Sequence, residues 1–379
     1  MSQIYLDYAA ATPLDYRVME AMKPYFSDIF YNPSALYTGA IEAKSALNDS
    51  RQKTASLIGA KPSEVIFTAG GTESANLAIN GVMQNHLDGN IVISSIEHDA
   101  VLKPSQKYRY KELRVNKKGR VEPNDISSIC DDDTVLISVM LANNEIGTIQ
   151  PIKDISKEVL KLRQSRKKSS NKKPLYLHVD ACQAPLYIDV NVSRLGVDMM
   201  TLNGGKIYGP KQSGILYIRT GTIISPEILG GGQEFGYRSG TENVPFAVGF
   251  SRALELAYKN QVSRTKEMTK IRDYFISELE NKHNAEITGD KKHRLANNVH
   301  AVFKNTDNER VLFALDNKGI FAATGSACSA SNDEASHVLL AVGKSEEDAR
   351  SSLRFSLGRE STINQIDKVI AELGQALKS

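Results

Sequence analysis

Val65-Ile66-Phe67-Thr68-Ala69-Gly70-Gly71-Thr72-Glu73-Ser74 opens as a short apolar run, passes through two glycines and leads into a helical pattern. A strand handed over to a helix in this way is the repeating unit of an α/β protein. Backbone N–H groups freed where such a helix starts, together with the Thr72 hydroxyl, make a cradle suited to a phosphate group. Outward from this stretch, apolar runs at 91–94, 135–140, 175–179 and 199–202 each end in a polar or glycine-rich segment. A largely parallel sheet is expected, with ligands at the ends of its strands. Ahead of them, 40–58 carries Ala43, Leu47, Leu57 and Ile58 at helical spacing and stops at Gly59. Near the C-terminus, Thr362 and Gln365 form a capping box ahead of Ile366, Val369, Ile370, Leu373 and Leu377, which share one helical face. The stretch 160–174 has Lys161, Arg163, Arg166, Lys167, Lys168, Lys172 and Lys173 among serines, and predicts a polar, mobile, solvated loop.

A chain of 379 residues has room for two or three domains and a large core. With 41% hydrophobic and 24% charged residues, wholesale disorder is excluded. The net charge of +3 falls short of a dedicated nucleic-acid binder, so direct nucleic-acid binding is not expected. No apolar run approaches the roughly 20 residues that span a bilayer. The first residues lack a basic start and place Asp7 and Asp15 around a short apolar stretch, unlike a signal peptide, so a cytoplasmic protein is expected.

Two strand ends carry chemistry. His178-Val179-Asp180-Ala181-Cys182-Gln183 delivers a carboxylate, and Thr201-Leu202-Asn203-Gly204-Gly205-Lys206 delivers an amine. Alone, Asp180 reads as a helix cap and Lys206 as a surface lysine. With the phosphate cradle they are the parts of a pyridoxal phosphate site, which needs a phosphate pocket, a carboxylate for the pyridine nitrogen and a Schiff-base lysine. The three cysteines are too few and too scattered for a disulfide framework or a metal pair. Cys130 and Cys182 adjoin apolar segments and read as structural. Cys328, in Ala322-Ala323-Thr324-Gly325-Ser326-Ala327-Cys328-Ser329-Ala330-Ser331, has small neighbours that favour exposure and reactivity.

These segments, with Tyr5-Leu6-Asp7-Tyr8-Ala9-Ala10, Glu97-His98, Asn143-Asn144-Glu145-Ile146-Gly147, Arg238-Ser239-Gly240-Thr241 and Arg354-Phe355-Ser356-Leu357-Gly358-Arg359, stand in order over nearly the whole chain. In this the sequence resembles the cysteine desulfurases of iron–sulfur-cluster assembly, within the class V aminotransferase group of fold-type I pyridoxal phosphate enzymes. The resemblance implies an α/β pyridoxal phosphate-dependent transferase fold: a large domain over 14–256 with a mostly parallel central sheet, and a smaller α+β domain from 1–13 and 257–379. It implies that Lys206 holds pyridoxal 5'-phosphate, Asp180 pairs with its ring nitrogen, and Gln183 and Asn144 contact the ring hydroxyl region. His98 stacks on the ring, and Gly71, Thr72, Asn203 and Gly205 bind the phosphate. Thr241 reaches the phosphate of a partner subunit, implying a homodimer. Arg354 takes the carboxylate of the substrate, L-cysteine, as a two-point salt bridge.

The implied reaction converts cysteine to alanine and leaves the sulfur as a persulfide on Cys328. That sulfur passes to an acceptor protein, a cluster scaffold or a tRNA-thiolation enzyme. The alternatives are another pyridoxal phosphate lyase or transaminase, neither of which needs a loop cysteine beside a carboxylate-binding arginine, and a non-catalytic sulfur-relay protein. Two departures from the usual pattern stand out: Asn203-Gly204-Gly205 replaces a Ser-Gly-His, and Tyr37 replaces a histidine. The first predicts a phosphate cup that releases its cofactor more readily.

Overall fold

The computed structural model describes residues 3–325 and 335–378. Along them run β1 (Ile4–Tyr5), β2 (Val65–Thr68), β3 (Asn90–Ser94), β4 (Tyr110–Leu113), β5 (Thr134–Ser138), β6 (Tyr176–Asp180), β7 (Met199–Asn203), β8 (Gly214–Ile218), β9 (Glu286–Ile287), β10 (Asn298–Val302), β11 (Ile320–Phe321) and β12 (Ser352–Ser356). A seven-stranded sheet has the order β2-β8-β7-β6-β5-β3-β4. Only β8 opposes the common direction, pairing antiparallel with both β2 and β7. Strands β3, β5 and β8 are buried at every residue, as strands covered by helices on both faces must be. The apolar runs read from the sequence correspond to β2, β3, β5, β6 and β7. Because these share one direction, their C-terminal ends open on one edge of the sheet, where the segments carrying Gly71, His98, Asn144, Asp180 and Lys206 converge.

Helix Thr38–Ile58 ends where Gly59 adopts φ 72°, a conformation a side chain resists, and it packs on helix Val244–Tyr258. Helix Ile363–Ala376 has the expected Thr362–Gln365 capping box and buries Ile366, Val369, Ile370 and Leu373. It packs on helices Gln261–His283 and Asn308–Asp316. A second sheet, β12-β10-β9, is antiparallel. The N-terminal segment joins this C-terminal part: β1 pairs with β11, and the Ser356 N–H donates to the Leu6 carbonyl at 2.7 Å. One apolar core runs through both sheets, joining Leu6, Leu177, Phe250 and Phe355. Among the described residues no helix is long and apolar enough to cross a membrane.

The reading of 160–174 as a loop is corrected. Helix Ile152–Lys168 continues through most of it. Ile152, Ile155, Val159, Leu162 and Arg166 recur at helical spacing and lie against the core, and a cationic last turn suits the negative end of the helix dipole. Arg166 is itself buried, donating to the carbonyl oxygens of Asp131 (2.6 Å), Thr134 (2.7 Å) and Pro174 (3.1 Å). Lys167, Lys168 and Lys172 are exposed.

Candidate active site

At the end of β6, Asp180 is buried and its Oδ1 accepts from the Cys182 N–H at 2.9 Å. From β7 the chain enters a tight turn at Gly204–Lys206 that brings Lys206 beside it. The Lys206 Nζ donates to the Ala9 carbonyl at 2.9 Å and to that of Ala10. Gln183 Nε2 donates to the same Ala9 oxygen at 3.0 Å. The N-terminal segment thus lies over the amine and ties it to the β6 end. Asn203 Oδ1 accepts from the Gly205 N–H at 2.9 Å, so that N–H is occupied within the turn and the Asn203 amide nitrogen is the donor left to the cup.

On one side, helix Gly71–Met83 starts at the cavity after Gly70, whose φ of 129° is open to glycine alone. Opposite, His98 caps helix Asp99–Ser105, its Nδ1 accepting from the Ala100 N–H at 3.0 Å. In the neutral ring the proton therefore sits on Nε2. Arg354, on β12, donates from one terminal nitrogen to Asp7 Oδ1 at 2.6 Å and from the other to the Asn144 carbonyl at 3.3 Å. Its backbone exchanges hydrogen bonds with Ala323 at 2.7 and 3.1 Å.

A buried polar layer lies beneath. His178 spans between Ser138 (2.8 Å) and Thr201 (2.9 Å), and burial pushes its imidazole down to about 4, so it is neutral. Glu97, next to His98, is fully buried. Its Oε1 accepts from Ser94 and from the Met140 N–H, while Oε2 has no partner among the described residues. Burial, with a smaller contribution from Asp180, pushes this carboxyl up to about 8.

Together these groups enclose a pocket of about 270 Å3 lined by Gly71, Thr72, His98, Asn144, Asp180, Gln183, Asn203, Lys206 and Arg354. Gly205 lines an adjoining open cavity of about 680 Å3 with Gly71, Thr72 and Lys211. Thr241 is exposed and outside both, and Cys328 lies outside the described residues. Cys182, expected to be structural, is one of the residues that line the pocket. Burial and the adjacent Asp180 hold its thiol well above the ordinary range, which makes it a poor nucleophile. Burial likewise pushes Cys130 up to about 11. Sequence reasoning did not assign the Ala9 and Ala10 carbonyls or Glu97. The Glu97-His98 pair was the available signal for the last, whereas main-chain oxygens leave none.

The family model described as aminotransferase class-V matches residues 4–369. The chain is 41% identical to the cysteine desulfurase IscS of Dictyoglomus turgidum, over 99% of this chain and 95% of that one. It is 42% identical to that of Methanosarcina thermophila, over 99% and 93%. Among solved structures, a NifS-like protein superposes with a TM-score of 0.91 at 33% identity, covering 100% of both chains. The structure of SspA in complex with cysteine gives 0.81 at 33% identity, covering 94% of this chain and 99% of that one. A match along nearly the whole length, on a sheet whose strand ends bring an amine, a carboxylate and an imidazole into one pocket, places the chain in the class-V aminotransferase family.

Proposed function

We propose that the protein is a pyridoxal phosphate-dependent L-cysteine desulfurase whose cofactor and substrate share the pocket around Lys206. The observation that carries this reading is the meeting of Lys206, Asp180, His98 and Arg354 in one cavity. The cofactor fits the donor set on structural grounds. A helix start cleared of side chain at Gly71 faces a lysine amine and a buried carboxylate, which match a phosphate, an aldehyde and a pyridine nitrogen.

Pyridoxal phosphate, when bound, supplies a protonated ring that takes up the electrons left as substrate loses its Cα proton. Gly71, Thr72 and Asn203 would hold the phosphate, with Gly205 shaping the turn beside it. Asp180 would keep the ring nitrogen protonated, and Gln183 and Asn144 would serve the ring hydroxyl. Lys206 would be the covalent anchor and the base for the Cα proton. His98 would stack on the ring, its Nδ1 held by the Ala100 N–H. Arg354 receives the substrate carboxylate. The Cys328 thiolate then attacks the substrate sulfur. A sulfur–sulfur bond forms as the carbon–sulfur bond breaks, its electron pair stays with the carbon skeleton, and protonation releases alanine.

The role given to Cys328 is supported by its flanks. Ala323, ahead of it, is bonded to the Arg354 backbone. Beyond it, Ser336 donates to Glu145 Oε2, the side chain next to Asn144. The division into 14–256 and 1–13 with 257–379 is supported by the pairing of β1 with β11. A homodimer in which Thr241 reaches the partner's phosphate is supported by exposed Phe26, Phe30, Leu36, Tyr37 and Ile41. Phe26 packs on Phe246, close in sequence to Thr241. The sulfur passes to an acceptor protein of cluster assembly or tRNA thiolation in the cytoplasm.

The test uses purified holoenzyme. It should show a visible absorbance band that borohydride bleaches, and Cys328→Ala should keep the band while losing persulfide formation and alanine release. Undiminished sulfur release by Cys328→Ala would rule the reading out.

A further inference from the structure

His300 on β10 stands directly opposite Arg354 on β12 in the antiparallel register, so the two side chains project from the same sheet face. Both are buried, and each has one polar atom without a partner among the described residues: His300 Nε2 and Arg354 Nε. Two orphaned buried nitrogens on directly paired residues of neighbouring strands call for a physical account, since such groups are costly to leave unpaired.

The other ring nitrogen settles which role His300 can play. Nδ1 lies 2.8 Å from Thr288 Oγ1. Burial, reinforced by the nearby Arg294 and Arg354 guanidinium groups, pushes the imidazole down to about 3, so only one nitrogen carries a proton. With that proton on Nε2, two buried donors would face each other. With it on Nδ1, donated to Thr288, Nε2 presents a bare lone pair toward the Arg354 Nε–H.

The five N–H groups of Arg354 can then be accounted for. One terminal nitrogen gives a hydrogen to Asp7 Oδ1 and the other gives one to the Asn144 carbonyl. An acceptor for Nε–H leaves one free hydrogen on each terminal nitrogen, the pair that a carboxylate takes in two-point geometry. We propose that His300 is a positioning residue for Arg354, its Nε2 accepting the Nε–H when the guanidinium turns its two free N–H groups to the carboxylate of an amino-acid substrate. The inference rests on Arg354 being the carboxylate-binding residue, as in the function proposed above.

Three variants of the holoenzyme test it, with Arg354→Lys as the control. His300→Gln places an amide near the position of Nε2, His300→Asn reaches only as far as Nδ1, and His300→Leu offers no acceptor. His300→Asn and His300→Leu should raise KM for L-cysteine and the dissociation constant of L-alanine, measured by calorimetry, about tenfold. kcat should change little, and His300→Gln should recover most of the loss. Thermal melts and circular dichroism identify the folded variants on which these constants are read. Unchanged KM and L-alanine binding in folded Asn and Leu variants, with Arg354→Lys impaired, would overturn the role of His300 alone. Unchanged constants in Arg354→Lys would remove the carboxylate role of Arg354 and this proposal with it. A fall in kcat at constant KM would overturn the proposal as well.

Discussion

Gly71 and Cys182 occupy one volume between them: a Cβ on Gly71 would stand 2.8 Å from the Cys182 Sγ, closer than such contacts form. The start of the cofactor-facing helix can therefore approach the β6 end only while residue 71 is glycine or residue 182 is smaller. Gly71→Ala should weaken pyridoxal phosphate binding by roughly 5- to 150-fold, the equivalent of about 1–3 kcal/mol of overpacking. Adding Cys182→Ala should recover most of that loss. Equilibrium dialysis of the single and double variants measures the coupling, and additive losses would show that the two positions do not compete for space.

The phosphate cup has a second adjustable position. A Cβ on Gly205 would meet only ordinary contacts, 3.4 Å to Asn203 Oδ1 and 3.7 Å to Lys211 Cγ, and its φ is not in the left-handed region. Gly205→His should add a donor toward the phosphate. A hydrogen bond to a charged group is worth about 1.5–3 kcal/mol, so cofactor loss during dialysis against a carbonyl-trapping amine should slow about tenfold or more. Equal retention by the unmodified protein would mean that Asn203 already makes the cup complete.

Glu97 predicts how stability depends on pH. Its carboxyl is raised from 4.5 to about 8 in the folded protein. Between those values the folded state holds a proton that the unfolded chain has lost, so the contribution is fully present below about pH 4.5 and disappears as pH rises through 8. Glu97→Gln keeps an acceptor for Ser94 and Met140 but cannot ionise. Its melting temperature should fall less between pH 5 and 8 than that of the unmodified protein, and parallel curves would contradict a protonated Glu97.

Arg166 and its lysine neighbours should behave in opposite ways despite their like charge. Arg166→Ala removes the guanidinium donor from the Asp131, Thr134 and Pro174 carbonyls, of which Asp131 keeps the Thr134 N–H, and should cost about 3 kcal/mol, seen as a lowered denaturation midpoint. Replacing Lys167, Lys168 and Lys172 with alanine should change stability by no more than about 0.5 kcal/mol per residue and leave alanine production intact. Lys167 and Lys168 end a helix, and Lys172 follows it, on the way to the N-terminal end of β6, at the opposite end of that strand from Asp180.

What the sequence determined by itself is local. The apolar runs that became β2, β3, β5, β6 and β7, the stop at Gly59 and the capping box at Thr362 follow from steric and hydrogen-bonding preferences within a few residues. Asp180 and Lys206 were legible as strand-end groups for the same reason. The basic stretch misled because charge and serine content masked a helical stripe that Arg166 extends with its own buried side chain. Only the tertiary structure decided the rest. The reversed direction of β8, the Ala9 carbonyl over the Lys206 amine, and His300 opposite Arg354 join residues far apart in sequence. Strand order, register and the packing of the N-terminal segment set those pairings. They are properties of the assembled sheets, so no window of sequence encodes them.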